Sequence, residues 1–441
     1  MLNVSITPHR EFFPADTADQ RLFIMLKLRP TKEVSNSRPS TSFAFVIDTS
    51  GSMDEVVTGG KSKKSIVIES LYQLVRSGRL TQDDHIAIIE FHDQASTLIG
   101  LTPATQVFQL ENAIARLNDF SGGTCMGKGM NEALVLLTNQ SMTSRRVLIF
   151  TDGETFDEED CEIIAQQFSN QGISITAMGV GDEFNEDLLI HKISDPTGGR
   201  LYPLVIGNAT GLQVSITELP KILFEEHQQA KDEVINNLTL SVKTVKGVEL
   251  IRVTRVYPDQ AEFPLIQQPY FIGAAKANDE TIFILEFSVD SRATSRVRIA
   301  QLGLTYDIPG LNKRGEFPPQ NVVAQFVGGQ GGAAQVNQEV MGYVQQRNIS
   351  QLVNDATRVA ENNPEQAEKL LETARRMTVK IGNKAMEESL NEGIDELRKT
   401  KKISAGTRKT VKMGSKGKTV KMGADINDEL SDEQIRQISG T

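Results

Sequence analysis

The first part of the chain has the apolar spacing of a strand. In residues 20–28, Leu22, Ile24, Leu26 and Leu28 occupy alternate positions, which is the period of a half-buried strand. The texture changes at Ser42, where short apolar runs such as FAFVI and RVLIF begin to alternate with amphipathic helical patterns such as SKKSIVIESLYQLVRS. Continuous apolar strands separated by amphipathic helices predict an α/β domain over residues 41–230, with a doubly wound, mainly parallel sheet covered on both faces.

Strand-like alternation returns after the α/β domain. Apolar positions alternate again within residues 231–312, and glycine and proline separate the segments, which is typical of an antiparallel sandwich. This stretch has too few predicted strands to form a sandwich by itself. Residues 1–40 have the strand-like apolar pattern needed to complete it. We therefore expect an α/β domain inserted in a β-sandwich.

A helical segment and a charged tail follow the sandwich. Residues 313–335 contain PP and GGQGG and are predicted to be a linker. Apolar spacing predicts helices over residues 336–400, with Pro364 placed where a second helix could begin. The apolar periodicity ends after Thr400, so residues 401–441 are predicted to form a disordered tail.

Composition and charge narrow the class of protein. The chain has 441 residues, 39% of them hydrophobic, and a formal net charge of −10, which argues against nucleic acid as the main partner. No apolar run approaches the roughly 18 residues of a membrane span. The first residues lack the basic and apolar regions of a secretory signal. With Cys125 and Cys161 as the only cysteines, the sequence predicts a cytoplasmic protein without a membrane span.

Oxygen-bearing side chains follow the first strand of the α/β domain. The string VIDTSGSM places Asp48, Ser50 and Ser52 directly after an apolar run. Ligands of an open parallel sheet bind at the carboxyl ends of its strands. Two further strings should reach that edge, SGGTCMGKGM with Thr124 and LIFTDGE with Asp152. Hydroxyl and carboxylate oxygens are ligands that Mg²⁺ accepts, so the pattern predicts a divalent-metal site.

This pattern resembles a von Willebrand factor type A domain with a metal-ion-dependent adhesion site. In that family an Asp-x-Ser-x-Ser motif, a distant threonine and a distant aspartate hold one divalent cation. The matching positions in this chain are Asp48, Ser50, Ser52, Thr124 and Asp152. The resemblance covers roughly residues 40–228. It implies a bound Mg²⁺, with Mn²⁺ or Ca²⁺ as alternatives, ligated directly by the hydroxyls and partly through waters by the carboxylates.

The same resemblance implies binding rather than catalysis. Three of the five ligands are neutral and one coordination position remains for an outside oxygen, so an acidic residue of a partner protein can complete the coordination. We therefore expect a metal-dependent protein-binding module that acts as a cytosolic scaffold or regulatory adaptor and is not an enzyme. The alternatives are a substrate-recruiting subunit of an AAA-type ATPase or chelatase-like machine, and a surface adhesin, against which the lack of an export signal counts.

The lysine-rich string GGKSKKS, residues 59–65, follows a predicted strand and precedes a predicted helix, as a phosphate-binding loop would. A Walker A motif needs a glycine five positions before Gly60, and the chain has Glu55 there. Lys61, Lys63 and Lys64 are therefore predicted to be a solvated helix start.

The tail contains the hexamer KTVKMG twice, at residues 409–414 and 418–423. Thr410 and Thr419 occupy the same place in the two copies and are candidate phosphorylation sites for a Ser/Thr kinase. Phosphate at these positions would create a docking signal for a phosphothreonine-reading partner. The same basic peptide also suits anionic lipid or RNA, and an ordinary solvated tail needs no partner.

Overall fold

The structure, a computed structural model, describes residues 1–57, 60–140, 142–181, 184–206, 214–328, 335–416, 419–422 and 427–429. The strands are β1 (Leu2–Pro8), β2 (Phe12–Pro14), β3 (Gln20–Pro30), β4 (Thr41–Asp48), β5 (Asp84–Phe91), β6 (Ala95–Pro103), β7 (Ser144–Thr151), β8 (Ser174–Val180), β9 (Leu201–Val205), β10 (Val214–Ser215), β11 (Glu233–Thr244), β12 (Val248–Tyr257), β13 (Ala261–Phe263), β14 (Tyr270–Lys276), β15 (Thr281–Val289), β16 (Ser295–Ile308), β17 (Lys313–Val327), β18 (Gln335–Asn337) and β19 (Asn427–Glu429). The helices are α1 (Lys32–Asn36), α2 (Lys63–Arg76), α3 (Val107–Ala115), α4 (Met126–Thr138), α5 (Glu158–Asn170), α6 (Leu219–Asp232), α7 (Gln338–Val359), α8 (Pro364–Ile381), α9 (Lys384–Thr400) and α10 (Ala405–Lys416).

A β-sandwich is assembled from segments that lie before and after the α/β domain. One sheet has the strand order β1-β3-β15-β12-β13, and the facing sheet has the order β14-β11-β16-β17-β2. Strand β3 pairs antiparallel with β15, with Gln20 opposite Val289 and Leu28 opposite Thr281. Alternate side chains of β3, including Leu22 and Ile24, enter the core between the sheets. Residues 1–40 thus supply strands to both sheets.

The α/β domain is built on a sheet of order β10-β9-β8-β7-β4-β5-β6, in which β6 is antiparallel to its neighbour. Helices α2, α3 and α6 pack on one face, and α4 and α5 pack on the other. All eight residues of the central strand β4 are buried because both faces of the sheet are covered. The predicted fold class, an α/β domain with a mainly parallel sheet, is confirmed.

An ion-pair network joins the α/β domain to the sandwich where α6 leads into β11. The buried guanidinium of Arg146 donates to Glu226 Oε2 at 2.7 Å and to Glu233 Oε1 at 2.5 Å. Burial alone would raise the pKa of Glu226, but the charges of Arg146 and Arg200 outweigh burial and lower it. Removing Arg146 would leave the buried carboxylate of Glu226 without this ion pair, so the network stabilises the contact between the α/β domain and the sandwich.

The predicted linker over residues 313–335 is wrong for most of its length. Strand β17 covers Lys313–Val327 and pairs along β16 and with β2. Pro318 and Pro319, which suggested a linker, fall where the register between β16 and β17 shifts, with Leu302 opposite Gln320 and Leu304 opposite Phe317. A bulge accommodates prolines because they cannot donate a ladder hydrogen bond.

A helical domain packs against the outer face of the first sandwich sheet. The first turns of α7, with Val340 and Tyr343, contact Phe23 and Met25 of β3, while its later turns join α8 and α9 in a separate core. Helix α8 begins at Pro364 behind the cap Asn363, which accepts the Gln366 N–H at 3.1 Å. Among the helices that the structure describes, none is long and apolar enough to cross a membrane.

The predicted disorder of residues 401–441 is wrong for residues 405–416, which form α10. Val411 is 2% exposed and lies in the helical core, against Gly393 of α9. The segment is too polar to fold alone, but a neighbouring helix supplies the apolar surface that its one buried face requires. Lys418 and most of the acidic stretch 424–441 lie outside the described residues.

Candidate metal centre

Three loops meet at the carboxyl edge of the central sheet. The loop after β4 donates the Gly51 N–H to the Gly122 carbonyl at 3.1 Å. The loop after β7 donates the Phe156 N–H to the Thr124 carbonyl at 2.9 Å. The glycine-rich loop before α4 is therefore tied by backbone hydrogen bonds to both of the loops that carry the predicted acidic ligands.

Asp48 is fully buried at the end of β4. Its Oδ1 accepts the Ser50 N–H at 2.8 Å, and its Oδ2 accepts the Thr151 hydroxyl at 2.8 Å. Burial raises the pKa of Asp48 to about 6, with the charge of Asp152 adding to the rise and the hydrogen bonds from Ser50 and Thr151 opposing it. Thr151, which belongs to β7, was not predicted as part of the site.

A ladder of hydroxyls connects the two predicted acidic ligands. Ser50 Oγ lies 3.1 Å from Ser52 Oγ, and the Ser52 hydroxyl donates to Asp152 Oδ1 at 2.7 Å. Asp48, Ser50, Ser52 and Asp152 therefore form one continuous hydrogen-bonded cluster, although Asp48 and Asp152 are about 100 residues apart in the chain.

Thr124, the fifth predicted ligand, lies in the glycine-rich loop that is hydrogen-bonded to the loops after β4 and β7. Among the described residues, the hydrogen bonds that join the other four predicted ligands do not include its hydroxyl. Thr124 is 9% exposed, and its carbonyl accepts the Thr155 hydroxyl at 3.1 Å as well as the Phe156 N–H. Asp93 holds the preceding glycine, because its Oδ2 accepts the Gly123 N–H at 3.0 Å. A Cβ at residue 123 would lie 2.4 Å from Asp93 Oδ1, so a larger residue there would displace the Asp93 carboxylate from this contact.

Lys63 and Lys64 are buried at the site, so the predicted solvated helix start is wrong for these two residues. The Lys63 ammonium donates to Asp152 Oδ2 at 2.8 Å and lies 2.6 Å from Glu55 Oε2. Burial alone would lower the pKa of Lys63, but the hydrogen bonds to Asp152 and Glu55 raise it. The sequence signal for this arrangement is the acidic pair Asp54–Glu55 just ahead of a pair of lysines, since Lys64 contacts Asp54 at 2.7 Å.

The donor set fits a hard divalent cation. It combines two buried carboxylates with serine and threonine hydroxyls, all of them oxygen donors. Among the described residues, no three His, Cys, Asp or Glu side chains are grouped so as to hold a metal, so a cation here depends on the hydroxyls. The raised pKa of Asp48 shows that its charge is poorly solvated, and a bound cation would favour the ionised form.

Two protein-family models match the chain. The von Willebrand factor type A domain matches residues 43–209, and a Sll0103-like, C-terminal alpha-helical domain matches residues 338–421. The chain therefore contains a von Willebrand factor type A domain, the class that the sheet and the site motif predicted. The second match reaches past residue 400 and includes α10, in agreement with the packed C-terminal helix.

Two curated relatives are themselves uncharacterized proteins. Uncharacterized protein YfbK of Escherichia coli K12 is 25% identical over 228 residues, which are 50% of this chain and 36% of that protein. Uncharacterized protein sll0103 of Synechocystis is 21% identical over 282 residues, which are 61% of this chain and 62% of that protein. The chain thus spans less than two thirds of the length of either relative.

Two solved structures share the whole architecture. A von Willebrand factor type A protein from Catenulispora acidiphila aligns with a TM-score of 0.76 at 17% identity, covering 95% of this chain and 97% of that one. The ArnB paralog VWA2 from Sulfolobus acidocaldarius aligns with a TM-score of 0.61 at 16% identity, covering 94% and 99%. At this identity the likeness establishes the fold alone.

The candidate phosphorylation sites Thr410 and Thr419 are both buried. The Thr410 hydroxyl donates to the Gly406 carbonyl at 2.9 Å on the inner side of α10. The Thr419 N–H donates to the Pro258 carbonyl at 3.1 Å, so the described part of the second hexamer, residues 419–422, lies against the sandwich. A kinase cannot reach either hydroxyl in this conformation, which corrects the expectation that the repeat is exposed in a disordered tail.

Proposed function

We propose that this chain is a metal-dependent protein-binding adaptor. A Mg²⁺ ion would be held by Asp48, Ser50, Ser52, Thr124 and Asp152, with Mn²⁺ or Ca²⁺ as substitutes. The observation that carries the proposal is the buried hydrogen-bonded cluster from Asp48 through the two serines to Asp152. Von Willebrand factor type A domains typically mediate protein–protein interactions and often bind a divalent metal, which agrees with this assignment.

The chemistry of the donors favours a protein ligand that carries a carboxylate. Serine and threonine ligands are neutral, so the two aspartates supply all of the negative charge among the five side chains. A bound cation would act as a Lewis acid that accepts one more oxygen, and an acidic side chain of a partner supplies both oxygen and charge. The chain's own residues would hold and orient the cation, and we assign no catalytic residue.

The test compares two variants with the same change in charge. Asp48→Asn should abolish Mn²⁺ binding measured by calorimetry, and it should abolish Mg²⁺-dependent capture of the partner. Asp83→Asn serves as the control, since Asp83 is exposed at the opposite edge of the sheet beside the start of β5. Equal Mn²⁺ affinity in Asp48→Asn and the unmodified protein would rule the site out.

We further propose that Thr410 and Thr419 are phosphorylated when the C-terminal segment, described over residues 404–416 and 419–422, leaves its packed position. The identical hexamers support a shared recognition event, by a Ser/Thr kinase and then by a phosphothreonine-reading partner. A cytoplasmic location fits this role, as does the presence of two free cysteines. Mass spectrometry of the protein from its own cells tests the modification, and absence of phosphate on both threonines would refute it.

A further inference from the structure

We propose that Lys63 is an internal counter-cation of the candidate metal centre. Its ammonium group and a divalent cation compete for Asp152, and the ammonium moves fully to Glu55 when the cation binds. This inference rests on the proposed function, since it concerns the same site, and it assigns to Lys63 the control of metal affinity.

The contacts of Asp152 define the competition. One oxygen, Oδ1, accepts the Ser52 hydroxyl at 2.7 Å and belongs to the hydroxyl ladder. The other, Oδ2, accepts the Lys63 ammonium at 2.8 Å. The side chains of Lys63 and Asp152 are only 4% and 1% exposed, so water does little to screen their attraction. Much of the charge that Asp152 could offer a cation is therefore already neutralised.

The position of Lys63 in α2 is unfavourable without these acidic partners. Lys63 is the first residue of the helix, after the cap Ser62, and the positive end of a helix dipole repels a cation there. Its backbone N–H donates to the Glu55 carbonyl at 3.1 Å, which holds the two residues side by side. An otherwise costly lysine is thus aimed into the site by its helix and stabilised there by two carboxylates.

Glu55 can hold the Lys63 ammonium after a cation displaces it from Asp152. The distance from Lys63 Nζ to Glu55 Oε2 is 2.6 Å, and the Glu55 side chain is 63% exposed. A divalent ion beside Asp152 would repel the ammonium, which could swing outward along Glu55 without losing its ion pair. The release therefore avoids the penalty of an unpaired buried charge. Moving the ammonium from Asp152 to Glu55 needs only rotation of the Lys63 side chain, because the backbones of Lys63 and Glu55 are already hydrogen-bonded to each other.

The experiment measures Mn²⁺ binding to the full chain by calorimetry, at one pH and one ionic strength. Lys63→Met keeps the apolar stem and removes the charge, and we expect its affinity for Mn²⁺ to rise about tenfold or more. Lys61→Met is the matched control, since Lys61 is half exposed and pairs with Glu69 away from Asp152. Its affinity should stay within about twofold of the unmodified protein. Lys63→Arg keeps the charge and should not gain affinity.

Thermal unfolding gives a second readout that does not depend on the affinity fit. Lys63→Met leaves Asp152 buried without its counter-ion, so its melting temperature should fall in EDTA. Saturating Mn²⁺ should restore it, giving a larger metal-induced rise than in the unmodified protein. If the variant is already unfolded in EDTA, recovery of its circular dichroism signal on addition of Mn²⁺ measures the metal-induced stabilisation instead, and no recovery would count against the inference.

Two failures can be told apart. If the unmodified protein binds Mn²⁺ through Asp48, but Lys63→Met binds no tighter than Lys61→Met, then Lys63 only positions Asp152 and the inference is overturned. If neither the unmodified protein nor Lys63→Met binds Mn²⁺, then both the metal site and the proposed metal-dependent function are refuted. Tighter binding in Lys63→Met that disappears when Asp48→Asn is added would support both.

Discussion

Thr151 orders the buried carboxylate of Asp48 from the neighbouring strand. Its hydroxyl donates to Asp48 Oδ2 at 2.8 Å. Thr151→Val keeps the shape and leaves that oxygen without its donor, which should lower the free energy of unfolding by about 1–3 kcal/mol. We also expect weaker Mn²⁺ binding, because Asp48 loses its fixed orientation. Urea unfolding and calorimetry check both effects. Thr102→Val, on the edge strand β6, should leave Mn²⁺ binding unchanged.

His9 makes the stability of the sandwich depend on pH. The ring is fully buried, and its Nδ1 accepts the Phe23 N–H at 3.1 Å. Burial, aided by the charge of Arg10, lowers the pKa of His9 well below its usual value. The unfolded chain therefore takes up a proton first, and the free energy of unfolding should decrease as pH falls below about 6.5. Urea unfolding at pH 8 and pH 5 measures the slope.

His9→Phe removes the titrating group from that comparison. It should be less stable than the unmodified protein at pH 8, where the lost acceptor leaves the Phe23 N–H unpaired. Between pH 8 and pH 5 it should lose less stability than the unmodified protein. An identical pH slope in the two proteins would mean that His9 does not couple folding to protons.

The candidate ligands could be predicted from sequence because each follows an apolar strand or a glycine-rich turn. Asp48, the two serines and Asp152 stand at strand ends, where the rule for parallel sheets places ligands. Thr151 and Asp93 could not be found in this way, because their roles depend on which loops touch. Lys63 was misjudged, since a lysine at a helix start is usually solvated and only tertiary contacts reveal that this one is buried.

At the scale of elements, α10 shows how a polar segment becomes ordered. Lys412 of the first hexamer contacts Glu186 of the α/β domain at 3.0 Å. Lys421, at the matching place in the second hexamer, contacts Glu280 of the sandwich at 2.9 Å. The repeat therefore attaches the C-terminal segment to two different bodies. Local apolar periodicity does not reveal such contacts, which is why the tail was predicted to be disordered.

A charge at Thr410 should detach this helix. Thr410→Glu places a carboxylate where the side chain is 4% exposed, which the packed arrangement cannot solvate. We expect rapid tryptic cleavage within residues 399–412, followed over time. The control is Thr373→Glu, because Thr373 makes the same hydrogen bond to the carbonyl four residues earlier, at 2.8 Å, but is partly exposed. Equal cleavage rates in the two variants would show that the burial of Thr410 does not hold α10 in place.

At the scale of the whole molecule, the sandwich is built from strands that lie before and after the inserted α/β domain. A chain that begins at Thr41 lacks β1, β2 and β3, and so exposes the edge of β15 and one side of the sandwich core. We expect it to aggregate or to melt at a much lower temperature than the full chain, because a bare hydrophobic edge pairs with other chains. Light scattering measures the aggregation, and a thermal melt measures the melting temperature. Equal melting temperatures would contradict the role assigned to residues 1–40.

The broad architecture was accessible from sequence, and the connections between its parts were less so. The start of the α/β domain is visible after Ser42, where amphipathic helical patterns begin to separate the short apolar strands. Strand β17 was missed, since two prolines normally argue against a strand and the bulge that admits them depends on the register with β16. The packing of α7 on β3 was also not predicted: Phe23 and Met25 make the second face of that strand apolar, but the sequence does not indicate which element covers it.

Because the α/β domain is inserted between strands of the sandwich, β3 is synthesised long before β15, with which it pairs. Strand β3 leaves the ribosome about 250 residues before β15, the strand beside which it lies in the sheet. At roughly 5–20 residues per second this is a delay of about 12 to 50 s. During that interval the α/β domain can fold, whereas Leu22, Phe23, Ile24 and Met25, all buried in the finished protein, have only β1 beside them. The nascent chain must therefore keep an apolar strand from aggregating for tens of seconds, so its yield in a cell should depend on translation speed and on chaperones that hold exposed strands.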